Sequence, residues 1–131
     1  MVVRFETRRE DFPSNLENLS IQHIVLYFAR IDGASFEVPA TLNFSEKGKT
    51  ESIGGGAITT DGIISTRRGN ASSWIQMIGK RPFGQWELAF PDEPSDTLPN
   101  NRRVRDLFET EEIEDVLLVI TYQGQTPPWP A

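Results

Sequence analysis

Apolar residues alternate with polar ones at every second position in the clearest segments of this chain, a period that fits strands rather than a helical bundle. The clearest case is Ser35–Phe44, where Phe36, Val38, Ala40, Leu42 and Phe44 alternate with Glu37, Thr41 and Asn43. Such a strand has one buried and one solvated face. Gln85–Phe90 repeats the pattern, with Trp86, Leu88 and Phe90 inward and Glu87 outward. Ser20–Arg30, SIQHIVLYFAR, puts Ile21, His23, Val25, Tyr27 and Ala29 on one face and Gln22, Ile24, Leu26, Phe28 and Arg30 on the other. Both faces are partly apolar, as in a central strand. Ile113–Tyr122, IEDVLLVITY, is nearly continuous in apolar residues and reads as a second central strand, covered on both faces.

Turn chemistry punctuates these runs. Asp32-Gly33 predicts a hairpin joining the strands at 20–30 and 35–44, and Pro39, which removes a ladder donor, places the second of them at an edge or a bulge. Residues 45–56 read as a polar loop ending in the flexible Gly54-Gly55-Gly56. Ala57–Thr60, Asp61-Gly62, Ile63–Arg68 and Gly69-Asn70 then give strand, turn, strand, turn. The segment 71–80 fits a helical stripe through Trp74, Ile75 and Ile78 or a mixed strand face through Ser72, Trp74, Gln76 and Ile78, and its neighbours favour the strand. Pro91, Pro94 and Pro99 end the strand before them. The one helix signal spans Asn100–Glu109, with Asn100 or Asn101 as cap and Val104, Leu107 and Phe108 on one face. Residues 1–19 lack a period and read as an irregular lead-in or edge strand. With 131 residues the chain is one domain. Its expected fold is mostly β, an antiparallel β-sandwich over 20–131 with one short helix.

Composition narrows function by subtraction. Thirteen Lys and Arg against 19 Asp and Glu leave a formal charge of −6, the wrong sign for phosphate neutralisation, so nucleic acid is not the expected partner. The longest apolar runs, 24–29 and 116–120, are far too short to span a bilayer as helices. There is no cysteine for a disulfide, thiolate metal site or thiol nucleophile. MVVRFETRRED carries no apolar segment after its charges and is not a signal peptide of the usual kind. The single histidine, His23, reads as a core or interface residue with a structural partner. No serine lies in a GxSxG elbow, and the glycine triplet lacks the Lys and Ser/Thr of a phosphate loop. The acidic clusters at Asp92-Glu93 and Glu109–Asp115 lack EF-hand spacing and read as solvated charge. The expectation is a domain with no catalytic set, no metal and no cofactor.

The most site-like cluster is Arg67-Arg68, with Gly69-Asn70 behind it and Trp74 beyond. Arg and Trp are favoured interface anchors and a turn displays them, but the same residues also fit a charged hairpin tip over a core tryptophan. Trp129, between two prolines, either folds the tail onto the domain or faces a partner. The candidate partner-binding residues are therefore Arg67, Arg68, Trp74 and Trp129.

Four segments together carry a resemblance: SIQHIVLYFARIDGASFEV at 20–38, TTDGIISTRRGNASSW at 59–74, GQWELAFP at 84–91 and EEIEDVLLVITYQGQTPPWPA at 111–131. They resemble the extreme C-terminus of TcA, the pore-forming and receptor-binding subunit of bacterial Tc insecticidal toxin complexes. The resemblance implies a non-enzymatic TcB-binding domain that docks the TcB–TcC cocoon onto the TcA pentamer through the TcB β-propeller. The gate of that propeller opens on assembly and admits the toxic piece of TcC to the channel. It also implies a secreted, extracellular complex and no membrane contact by this domain. Pore formation and receptor binding belong to other regions of TcA and are not carried over. A different class, a carbohydrate-binding sandwich, calls for at least one exposed tryptophan platform.

Overall fold

The alternation resolves into two antiparallel sheets in the computed structural model, which describes residues 2–30, 37–91, 103–109 and 113–126. In chain order the elements are β1 Val2–Thr7, β2 Glu17–Arg30, β3 Pro39–Glu46, β4 Ile53–Ile58, β5 Ile63–Ser65, β6 Gly84–Ala89, α1 Val104–Glu109 and β7 Ile113–Gln125, with 3-10 helices at Arg9–Asp11 and Ser72–Met77. One sheet has the order β1-β6-β3-β4 and the other β5-β2-β7. The fold is the expected mostly β, antiparallel sandwich with one short helix.

In the four-stranded sheet, period two is observed almost without exception. Ala40, Leu42 and Phe44 of β3 and Trp86 and Leu88 of β6 are buried, while Gln85 and Glu87 lie on the far side. Trp86 sits between Phe44, with ring centroids 4.2 Å apart, and Phe5, stacked at 6.0 Å. Its Nε1 donates to Thr7 Oγ1 at 2.9 Å, which meets the polar demand of a buried indole and fastens β1 to β6. Residues 2–7 thus form an edge strand of this sheet.

The three-stranded sheet is organised by β2, the central strand its two apolar faces predict. Ile21 pairs with Tyr122 and His23 with Thr121, so Gln22 is an extra residue, a bulge that reverses the inward parity. Leu19 and Ile21 are buried before it and Ile24, Leu26 and Phe28 after it. From the other layer, Phe90 meets Phe28 at 5.7 Å and Phe108 at 6.1 Å, tying β2, α1 and the end of β6 into one core.

Several expectations are corrected. β2 and β3 belong to different sheets, so they do not form a hairpin, and the Asp32-Gly33 turn lies outside the described residues. Pro39 begins an interior strand rather than sitting at an edge. Both polar groups of the Val38 backbone bond Thr59 on the β4 side, so the nitrogen of Pro39 faces β6, whose pairing starts only at Thr41. Among the described residues β7 is an edge strand, not a central one, and Leu117 on its outer face is exposed. α1 starts at Val104, and Asp106 Oδ2 accepts from the Arg103 N–H at 2.8 Å, the reciprocal half of a capping box. The proposed caps Asn100 and Asn101 lie outside the described residues.

Segment 71–80 carries a 3-10 helix at Ser72–Met77, not a strand, and Gly54-Gly55-Gly56 is strand, not loop. The two departures share one cause. Ala71, Trp74 and Met77, spaced by three, eclipse on one side of a 3-10 helix and are wholly buried against β4. Trp74 Nε1 donates to the Gly55 carbonyl at 2.8 Å, and Gln76 Nε2 to that of Gly54 at 3.4 Å. Gly54, at φ +134°, has no room for a Cβ, which would drive into the Leu42 carbonyl and come within 2.7 Å of Met77 Cε. Gly48 has open space at φ +85° and supplies the control. Gly48→Ala should cost about 1–2 kcal/mol from backbone strain alone. Gly54→Ala adds about 1–3 kcal/mol of overpacking to a similar strain, so urea midpoints should separate the two clearly. Equal losses would mean that close approach is not why β4 carries glycine.

Candidate docking face

The bulge that sends Ile24, Leu26 and Phe28 into the core turns Val25 and Tyr27 outward. Opposite them on β7 stand Val119 and Leu117, and Ile63 of β5 flanks Tyr27 on the other side. The outer face of this sheet therefore carries apolar cross-strand pairs where the other sheet carries Thr41, Asn43, Gln85 and Glu87. Tyr27 is 42% exposed and Leu117 59%. A depression of about 370 Å³ runs over this face, lined by His23, Val25, Tyr27, Ile63, Ser65, Arg67, Arg68, Val119 and Thr121.

Arg67 and Arg68 occupy one corner of the face, exposed on the turn after β5. That turn is fastened at both ends. Thr66 bonds β2 just beyond the bulge: its Oγ1 accepts from the Ile24 N–H at 3.1 Å and its own N–H donates to the Ile24 carbonyl at 3.1 Å. Asn70 closes the other end, with Oδ1 accepting from the Ser65 N–H at 2.9 Å and Nδ2 donating to the Ile63 carbonyl at 2.8 Å. Between them the Arg67 N–H donates to Ser65 Oγ and the Arg68 N–H to the Ser65 carbonyl. The preceding turn is set as its sequence predicts, with Asp61 at φ +52° and Gly62 at φ +77°, left-handed at both positions.

Their charges differ from those of four other arginines. Arg4, Arg8, Arg81 and Arg103 each bond a carboxylate, of Glu87, Glu6, Glu46 and Asp106 respectively. Neither Arg67 nor Arg68 has a carboxylate partner among the described residues. By contrast, the depression of about 420 Å³ on the outside of the other sheet is polar and internally compensated, Arg4 pairing with Glu87 at 2.9 Å. It has the character of a solvated sheet face.

The sequence candidates divide accordingly. Arg67 and Arg68 lie together on the face. Trp74 does not: it is wholly buried, its indole N–H taken by Gly55, and it supports β4 from within rather than meeting a partner. Trp129 lies outside the described residues. Trp86 is as buried as Trp74, so neither offers an exposed platform. His23 is half-buried at the rim of the depression, its Nδ1 3.4 Å from Thr66 Oγ1. Sequence reasoning passed over Val25, Tyr27, Leu117 and Val119, because an apolar strand face reads as covered unless the layer over it is shown missing. It also passed over Thr66 and Asn70 as the residues that hold the arginine turn, although a Gly-Asn pair is a turn signal.

No family model, curated protein or solved structure matches this chain.

Asn70 should be the turn's keystone. Asn70→Ala leaves the Ser65 N–H and the Ile63 carbonyl without their partners and should cost about 1–3 kcal/mol, the range for unsatisfied polar groups in folded proteins. Asn70→Asp keeps the acceptor and loses the donor, and its thermal midpoint should fall between wild type and alanine.

Proposed function

We propose that this chain is a non-catalytic docking domain whose partner covers the outer face of the β5-β2-β7 sheet. The observation that carries the reading is the combination found there, an apolar strip of exposed Tyr27 and Leu117 and half-buried Val25 and Val119 beside two guanidinium groups with no carboxylate partner among the described residues. Buried aromatic and Arg anchors at the centre of an apolar patch are the usual source of protein–protein affinity. The reading extends to the assembly that the sequence resembles. The partner is the TcB β-propeller of a TcB–TcC cocoon, seated with its carboxylates against Arg67 and Arg68, and the domain acts in the extracellular toxin complex as part of a TcA pentamer.

Calorimetric titration of the purified domain with a TcB–TcC cocoon tests this. Saturable binding is expected, weakening as salt screens the arginine contacts. Arg67→Ala combined with Arg68→Ala should weaken it at least about tenfold, roughly 1.4 kcal/mol, while folding stability stays within about 1 kcal/mol of wild type. Tyr27→Ala should act in the same direction. No binding by the folded domain, with tryptophan fluorescence quenched by sugars instead, would replace this reading with the carbohydrate-binding one.

A further inference from the structure

His23, the single histidine of the chain, lies on the rim of the docking depression, at the corner where Arg67 and Arg68 stand. Thr66 links it to the arginine turn. Thr66 Oγ1 accepts from the Ile24 N–H at 3.1 Å and lies 3.4 Å from both the Ile24 carbonyl oxygen and His23 Nδ1. A hydroxyl has one donor and two acceptor positions, and an imidazole nitrogen accepts when bare and donates when protonated. With a neutral ring that carries its proton on Nε2, Thr66 Oγ1 donates to Nδ1. With a protonated ring the direction reverses: Nδ1–H donates to Oγ1, and the hydroxyl proton turns to the Ile24 carbonyl. In both states the Ile24 N–H keeps its acceptor, so the turn that displays the arginines stays fastened to β2 whether or not His23 is charged.

Charge around the ring is one-sided. The turn contributes Arg67 and Arg68, β2 contributes the phenol of Tyr27, and β5 and β7 contribute only neutral residues, Ser65 and Thr121 among them. No carboxylate lines the depression. Lys80, whose carbonyl accepts from the Ile21 N–H, lines a different depression. A proton on His23 therefore makes a third cation at a corner that already holds two. Histidine is the side chain that ordinarily changes charge between about pH 5 and 8.

From this we infer that His23 couples docking to protonation: the partner's carboxylates take the charged imidazole as a third contact beside Arg67 and Arg68, so the complex forms with uptake of a proton and tightens as pH falls. The inference rests on the docking reading of this face and adds its regulation. Its sign follows from linkage. An opposite charge brought within a few ångströms favours the ionised form of a group, and a partner that favours protonation is, by reciprocity, bound more tightly by the protonated domain. Exposed carboxylates on the partner stay ionised down to about pH 5, so the attraction grows on the domain's side without fading on the other. The Thr66 hydroxyl lets the corner gain this charge with no rearrangement of the turn.

Calorimetric titration of the full chain with a TcB–TcC cocoon at pH 8 and at pH 5.5 tests the inference, with circular dichroism of each variant at both values. The comparison is with His23→Gln, which keeps a hydrogen-bonding side chain and has no charge to gain. Groups on the cocoon that titrate in the same range affect both proteins alike. Tightening between pH 8 and pH 5.5 is expected to be at least about threefold greater in wild type than in His23→Gln, whereas at pH 8 the two should bind within about twofold of each other. His23→Lys is charged at both values, so it should bind more tightly than His23→Gln at pH 8 and share that variant's weaker pH response. Should one variant fail to fold, the other decides. Equal pH responses in wild type and variant overturn the inference and leave the docking reading standing. So does a His23→Gln protein already weakened about tenfold at pH 8, which would make His23 a contact regardless of its charge. No binding at either pH overturns the docking reading and the inference with it.

Discussion

One extra residue in β2 decides which side chains this domain keeps and which it presents. With Gln22 inserted against β7, inward parity passes from Leu19 and Ile21 to Ile24, Leu26 and Phe28. Without that shift, period two would carry Val25 and Tyr27 into the core and Ile24 and Leu26 out of it. The bulge also positions the Ile24 backbone to receive Thr66, so the turn that displays Arg67 and Arg68 is hung from the same irregularity. The apolar strip and the arginine corner both follow from it.

The other layer depends on a second close contact. A 3-10 helix brings residues three apart onto one line, and Ala71, Trp74 and Met77 use that line to lie flat on β4. Only glycine on the strand lets the two backbones come so near, and the Trp74 indole and Gln76 amide then bond the strand's carbonyls. Each feature is unusual alone. A triple-glycine strand is weak, and a short 3-10 helix makes poor internal hydrogen bonds, but together they supply each other's missing contacts.

What the residues disclosed and what they withheld divides along the same line. Local alternation placed β3 and β6 correctly, and Asp61-Gly62 folds as the tight turn its chemistry demands. The helix at Val104–Glu109 falls within its expected range, cut short at its start. Features set by distant contacts were not readable. Gly54-Gly55-Gly56 looks like a loop until the helix above it is known, and Trp74 looks like an anchor until β4 is placed beneath it. β7 reads as central because Val116–Ile120 is apolar throughout, whereas among the described residues it is the last strand of its sheet and Leu117 is exposed. The arginine turn was readable from its dipeptides. The strip beside it was not, because β2 and β7 meet only across a long sequence separation.

The central claim is that a partner covers the outer face of the β5-β2-β7 sheet, and hydrogen-exchange mass spectrometry of the domain with and without a TcB–TcC cocoon addresses it most directly. Protection is expected in peptides covering 23–27, 63–68 and 117–121, with the outer strands β1 and β4 of the other sheet unchanged. Protection confined to β1, β4 and the outside of β6, with 63–68 exchanging as in the free domain, would contradict it.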